Sequence, residues 1–145
     1  MICLDGKHLL SILYIKMDNK LWYNSLKRSP LSPPDYVFGI VWPILYALMF
    51  IALFLVWTNK KCFPYCSPIT FFAVHFFFNT IWTTIFFKWQ MPKLALLDLT
   101  LVLGLVAVSY GHFYKIRKTA AYLLIPYLAW LCFAFYLNLY VAIYN

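Results

Sequence analysis

Residues 36–57 read YVFGIVWPILYALMFIALFLVW, 22 residues without a charge, approached through Ser32-Pro33-Pro34-Asp35. At about 1.5 Å of rise per residue, a helix of this length crosses a hydrocarbon core of roughly 30 Å. Trp42, Pro43 and Tyr46 stand well inside the run, where a plain lipid anchor would use Leu and Ile. Aromatic and helix-breaking residues at that depth line or open space between helices, so this span is read as one built to hold something.

Three further apolar runs follow. Cys62–Phe87 is uncharged, and its helix is expected from Ile69, after Pro68; Leu94–Tyr114 is interrupted only by Asp98; Ala120–Asn145 carries no charge. The expected spans are therefore 36–57, 69–87, 94–114 and 120–144. The links Thr58–Lys61, Lys88–Lys93 and Lys115–Thr119 are short enough to force antiparallel neighbours. Residues 1–35 are different: Asp5, Lys7, His8, Lys16, Asp18, Lys20, Lys27 and Arg28 surround Leu9–Ile15, an apolar patch too short to cross. That patch reads as the end of a degraded first span or as an interfacial segment, and it carries no secretory cleavage pattern.

Composition agrees with this. The 145 residues are 65% hydrophobic, 22% aromatic and 11% charged, whereas a soluble domain carries roughly 25% charged residues. A single membrane domain is expected, with no room for a separate soluble one. The net charge of +8 comes from 12 Lys and Arg against four Asp. These charges sit singly or in short clusters between apolar runs, so they read as headgroup contacts and topology signals, and nucleic acid is not an expected partner. Seven basic residues fall on the side of the N-terminal segment and the 88–93 link and five on the other, a margin that fixes no orientation. Cys3, Cys62, Cys66 and Cys132 give no metal framework. Cys62 and Cys66 are read as incidental thiols near the interface, with a loop disulfide as the alternative.

Trp22, Trp57 and Trp89 lie at or outside span ends, where the interfacial belt accounts for them. Trp42 lies six residues inside its span, roughly 9 Å down, and Trp130 is near the middle of the last one. Either packing between helices or stacking on a flat ligand accounts for each indole alone. Pro43 beside Trp42, and Pro126 near Trp130, favour a cavity lined by indoles. His75, Asn79 and Trp82 share one helix face, and Asn138 lies late in the last span. Interhelical hydrogen bonding and ligand contact both account for these polar groups, while Asp98 is close enough to a span end to reach water. His75 could ligate a haem iron, although a hydrogen-bonded core histidine is the preferred reading. No nucleophile–base pair, phosphate loop or metal-binding helix motif is present, so binding is expected rather than hydrolytic or transfer chemistry.

Trp22-Tyr23-x-x-Leu26-Lys27, then Pro33-Pro34-x-x-Val37-Phe38-x-x-Val41-Trp42-x-x-Leu45-Tyr46-x-x-Met49, form the first block of a wider pattern. Phe78-Asn79-x-x-Trp82-x-x-x-Phe86-Phe87 forms the second, and Pro126-Tyr127-Leu128-Ala129-Trp130-x-x-Phe133-Ala134-x-x-Leu137-Asn138 the third. In order and spacing these blocks resemble the tryptophan-rich sensory protein/translocator protein family (TspO/MBR, the peripheral benzodiazepine receptor type). The resemblance implies an all-α, five-helix transmembrane bundle, commonly a homodimer. The first helix would be short, degenerate or truncated within residues 1–21, and residues 22–35 would cover the pocket.

By the same resemblance the pocket falls on Trp42, Tyr46, Asn79, Trp82, Trp130 and Ala134, with Tyr127 of the third block beside them; the direct reading adds His75 and Asn138. Lys27 and Arg28 are the expected partners for ligand propionates, and Pro33 and Pro34 are further expected contacts of the covering segment. Protoporphyrin IX or haem is the implied ligand, with no cofactor required, and the implied role is sensory, regulatory or in transport. Two alternatives go with it: a light-dependent porphyrin-degrading enzyme with Trp42 and Trp130 as redox-active indoles, and a membrane scaffold with a vestigial pocket. The family often has Gln where this chain has His75, which would favour a metallated tetrapyrrole. The sterol motif of animal members needs Lys or Arg after its tyrosine, and Tyr140-Val-Ala-Ile-Tyr144-Asn145 has neither, so cholesterol is not expected. A bacterial membrane is the expected location, with the mitochondrial outer membrane as the alternative.

Overall fold

The computed structural model describes the backbone of residues 6–145 and the side chains of Tyr14 and of residues 16–145. Their helices are α1 (Gly6–Ser25), α2 (Asp35–Trp57), α3 (Ser67–Thr83), α4 (Pro92–Ile116) and α5 (Lys118–Tyr144). α3 runs on through one π-helical turn, Thr84–Lys88. α2, α3 with its π turn, α4 and α5 are long and apolar enough to cross a membrane. At 20 residues α1 would reach about 30 Å, but Lys16, Asp18 and Lys20 keep it out of that class. The first helix is thus short and charged, as the sequence suggests.

Proline and the helix ends explain the observed boundaries. Pro34 holds an extended φ of −57° and ψ of 149°, so α2 starts at Asp35, whose carboxylate suits a helix N-terminus. Pro68 and Pro92 occupy first-turn positions where a missing N–H costs nothing. α3 and α4 therefore each begin two residues earlier than expected. The expected link 115–119 shrinks to Arg117 alone, extended at φ −153° and ψ 114° between α4 and α5. Gln90 adopts a φ of 55° in the α3–α4 connection, residues 89–91. Pro43 and Pro126 lie inside helices that continue through them.

Two expectations are corrected. The covering segment does not begin at residue 22, because α1 continues to Ser25 and leaves only 26–34 as the connection. Trp22 and Tyr23 pack edge-on against Phe86, with ring centroids 5.6 and 6.3 Å apart, and this burial holds the last turn of α1 in place. Cys62 and Cys66 are not separate thiols but form a disulfide with Cα atoms 4.8 Å apart. The α2–α3 connection doubles back on itself: the Asn59 carbonyl accepts from the N–H of both Cys62 and Phe63 at 2.9 Å, which brings the cysteines together.

α4 is the centre of the bundle, packed along α3 on one side and α5 on the other, with α2 against α5. Its buried stripe, Leu99, Val102, Val106, Ser109 and Phe113, recurs at three- and four-residue steps. Met49, Ala52 and Val56 of α2 and Leu124, Tyr127 and Leu131 of α5 close on the same core. Lipid is as apolar as these side chains, so close packing and interhelical hydrogen bonds, more than water exclusion, hold such helices together. Ala95, Ala120 and Ala121, all fully buried, allow the close approach. α1 touches this frame through the π turn.

Candidate ligand-binding site

A cavity of about 680 Å³ opens at the end of the bundle where α2 begins and α1, α3 and α5 finish. That volume lies within the range of small-molecule pockets, about 300–1,000 Å³. Four helices build it, three of them with the same geometry. α2 presents Asp35, Phe38, Gly39 and Trp42, and α5 presents Ala134, Leu137, Asn138 and Val141. α1 presents Lys16, Asn19, Lys20 and Tyr23. In each case the steps are three, one and three residues, a single helical face. The fourth wall comes from Trp82 and Thr83 of α3 and from Phe86 and Phe87 of the π turn.

Each ring in the wall is fixed by a second. Trp42 stacks on Tyr46 at 5.6 Å and meets Trp130 edge-on at 6.5 Å. Trp82 stacks on Phe86 at 5.2 Å. Its indole N–H donates to Asn138 Oδ1 at 3.0 Å, and Asn138 Nδ2 donates to the Pro92 carbonyl at 2.8 Å. Asn138 thereby ties α3, α4 and α5 together, and its polar atoms are engaged within the protein. Gly39 leaves space: a Cβ added there would meet nothing within 4 Å.

The mouth is polar. Arg28 is held by an ion pair with Asp35 at 3.5 Å and lies over the Tyr23 ring at 4.7 Å. The connection that carries it is anchored to α5. The Ser29 and Tyr136 hydroxyls share a hydrogen bond of 3.0 Å, and the Lys27 N–H donates to Asn145 Oδ1 at 2.9 Å.

Comparison with known proteins fits this architecture. The chain matches the TspO/MBR family over residues 5–144. It belongs to that family. The TspO/MBR match takes in α1 as well as the four long helices, and the chain is accordingly a multi-pass membrane protein. It is 37% identical to the translocator protein of Homo sapiens over 119 residues, 81% of this chain and 70% of the relative. It is 32% identical to the translocator protein of Bos taurus over 131 residues, 89% and 78% of the two chains. It is 35% identical to the tryptophan-rich protein TspO of Chlorobaculum tepidum over 118 residues, 81% and 75%.

Of the residues singled out from the sequence, this TspO/MBR chain brings Arg28, Trp42, Trp82, Ala134 and Asn138 to the cavity. Tyr46, His75, Asn79, Tyr127 and Trp130 lie behind that wall. Asn79 Nδ2 donates to Tyr46 Oη at 3.0 Å, and His75 packs against Tyr127 with ring centroids 5.8 Å apart. Pro33 and Pro34 line a separate recess beside Arg28, and Lys27 is not on the cavity wall. Sequence reasoning missed Lys16, Asn19, Lys20 and Tyr23, although their spacing marks one face once residues 6–25 are read as helix. It also missed Gly39 and Val141, for which no signal beyond helical spacing exists.

His75 is 1% exposed, and among the described residues neither ring nitrogen makes a hydrogen bond of good geometry, the backbone of Phe72 offering only a weak one. A buried polar group without a partner opposes folding by about 1–3 kcal/mol. His75→Leu is therefore expected to leave the unfolding free energy equal or raise it by about 1 kcal/mol, as read by titration with denaturing detergent. Haem absorbance spectra of the variant and the wild type should coincide, because the imidazole lies off the cavity wall. A shifted Soret band would instead place His75 on the iron.

Proposed function

We propose that this TspO/MBR protein binds a tetrapyrrole, protoporphyrin IX or haem, in the cavity between α1, α2, α5 and the π turn, in a sensory, regulatory or transport role. One observation carries this reading: an apolar cavity walled by two braced indoles, Trp42 and Trp82, whose lining also includes the charged side chains Lys16, Lys20, Arg28 and Asp35. A flat macrocycle gains from aromatic walls through stacking and apolar contact, and its carboxylates find partners at the rim. A homodimer in a bacterial membrane, without cholesterol as native ligand, belongs to the same proposal.

The test is a titration of the purified protein with protoporphyrin IX, followed by quenching of tryptophan fluorescence. Saturable binding, weakened about tenfold or more in Trp42→Ala through lost ring contact, supports the reading. Trp130→Phe should cost less, since Trp130 lies behind the wall and acts on the ligand through Trp42 and Phe38. Absence of saturable binding in the wild type would shift the conclusion to a membrane scaffold with a vestigial pocket.

The contacts of Trp42 with Tyr46 and Trp130 favour a second reading, in which bound porphyrin is oxidised under light, its electrons passing to dioxygen, with Trp42 and Trp130 as redox-active indoles that relay them and end unchanged. Illuminating the same complex in air distinguishes the two. A new absorbing product that disappears in Trp42→Phe supports the enzyme, and an unchanged porphyrin spectrum removes it.

A further inference from the structure

We propose that Lys16 and Lys20 of α1, together with Arg28, form a subsite for paired carboxylates, so that the cavity selects a flat apolar dianion over its neutral analogue. The proposal rests on the tetrapyrrole reading and names the groups that would set its specificity.

Lys16 and Lys20 are four residues apart and both line the cavity, on the face completed by Asn19 and Tyr23. Among the described residues Asp35 is the only carboxylate on the cavity wall, and it is engaged by Arg28 at 3.5 Å. Asp18 and Asp98 do not line the cavity. Among the described residues the lining therefore carries an excess of two positive charges, with the exposed Lys16 and Lys20 on its α1 rim, beside an apolar, aromatic wall. A ligand matched to that layout has an apolar body and two negative charges along one edge.

Lysine suits such a rim, because its stem can lie on apolar wall while the ammonium stays in water. The arrangement also supplies a reason for the composition of α1. A helix facing only lipid has no use for two cations one turn apart, whereas a helix forming the rim of an anion-binding cavity does. The protein wall on one side reduces screening relative to open solution, so the attraction should be largest at low ionic strength.

The experiment places the full chain in phosphatidylcholine nanodiscs and titrates protoporphyrin IX and its dimethyl ester, which differ only in the two carboxylates. The wild type is expected to prefer the diacid by about tenfold at low salt, the sum of two exposed ion pairs, with the preference narrowing as salt rises. In the double variant Lys16→Gln, Lys20→Gln the ratio of the two Kd values should fall close to one, while Lys16→Arg, Lys20→Arg should keep the preference. Equal wild-type affinity for diacid and diester would overturn the subsite and leave the cavity reading standing. The same holds for a Gln variant that retains the preference, or that loses both ligands alike. If the Gln variant changes only retention on anionic vesicles, the lysines serve lipid headgroups and the subsite falls. Saturation by neither ligand in the wild type would remove the tetrapyrrole reading itself.

Discussion

Gly39→Leu is expected to weaken protoporphyrin binding by about 10- to 150-fold while leaving the fold intact or slightly firmer. Gly39 sits on the cavity wall, one turn before Pro43, and a Cβ there meets nothing within 4 Å. The added side chain therefore occupies cavity rather than core. It displaces ligand contact comparable to its own burial, about 1.5–3 kcal/mol, which sets the fold-change. Replacing glycine inside a helix also removes backbone freedom from the unfolded chain and helps folding by about 0.5–1 kcal/mol. The paired readout is a porphyrin titration beside unfolding in denaturing detergent. Wild-type affinity in Gly39→Leu would mean that porphyrin binds somewhere other than this cavity. Lost affinity together with a destabilised bundle would mean that the position is structural.

Asn138→Leu is expected to show the complementary pattern, a loss of about 2 kcal/mol in stability. Asn138 is 2% exposed and uses its amide in both directions, accepting from Trp82 and donating to the Pro92 carbonyl. Hydrogen bonds between membrane helices average near 0.6 kcal/mol and reach about 1.7. An indole N–H left buried without a partner adds a penalty of about 1–3 kcal/mol, partly relieved by relaxation of the ring. Porphyrin affinity should fall with it, because Trp82 loses the bond that holds its plane against Phe86. The stability comparison is best made by the double-mutant cycle with Trp82→Phe. If the two effects add with no coupling, the hydrogen bond between them carries no weight.

Much of this protein was legible because charge is nearly excluded from the spans, Asp98 being the exception near one end, so the limits of α2 to α5 follow within a few residues from where Lys, Arg and Asp stop and, for α3, from Pro68. Legibility failed where the reason lies in tertiary contact. α1 looked interrupted because Lys16 and Lys20 break an apolar run, although together with Asn19 and Tyr23 they mark the face that reaches the cavity. Its end at Ser25 depends on Trp22 and Tyr23 meeting Phe86, across more than sixty positions of sequence. The cysteine pair shows the same limit, since a spacing of four leaves the turn between them undetermined.

The site divides along similar lines. Trp42 and Tyr46 occupy one face a single turn apart, and spacing alone cannot say which of the two meets a ligand. The structure puts Trp42 on the cavity wall and sets Tyr46 behind it, bonded to Asn79. His75 and Trp82 present the same ambiguity on α3, with Trp82 on the wall and His75 in the core.

The π turn at Thr84–Lys88 has a consequence for how relatives are set beside this chain. Such a turn holds one residue more than an α turn, so every side chain after it is rotated relative to an uninterrupted helix. Against a relative whose third helix stays α throughout, the gap belongs inside 84–88 and not in the connection that follows. Placed in the connection, it would pair Phe86 and Phe87 with residues facing other directions. Deleting one residue from this turn should accordingly swing the wall of the cavity away while the helix itself survives.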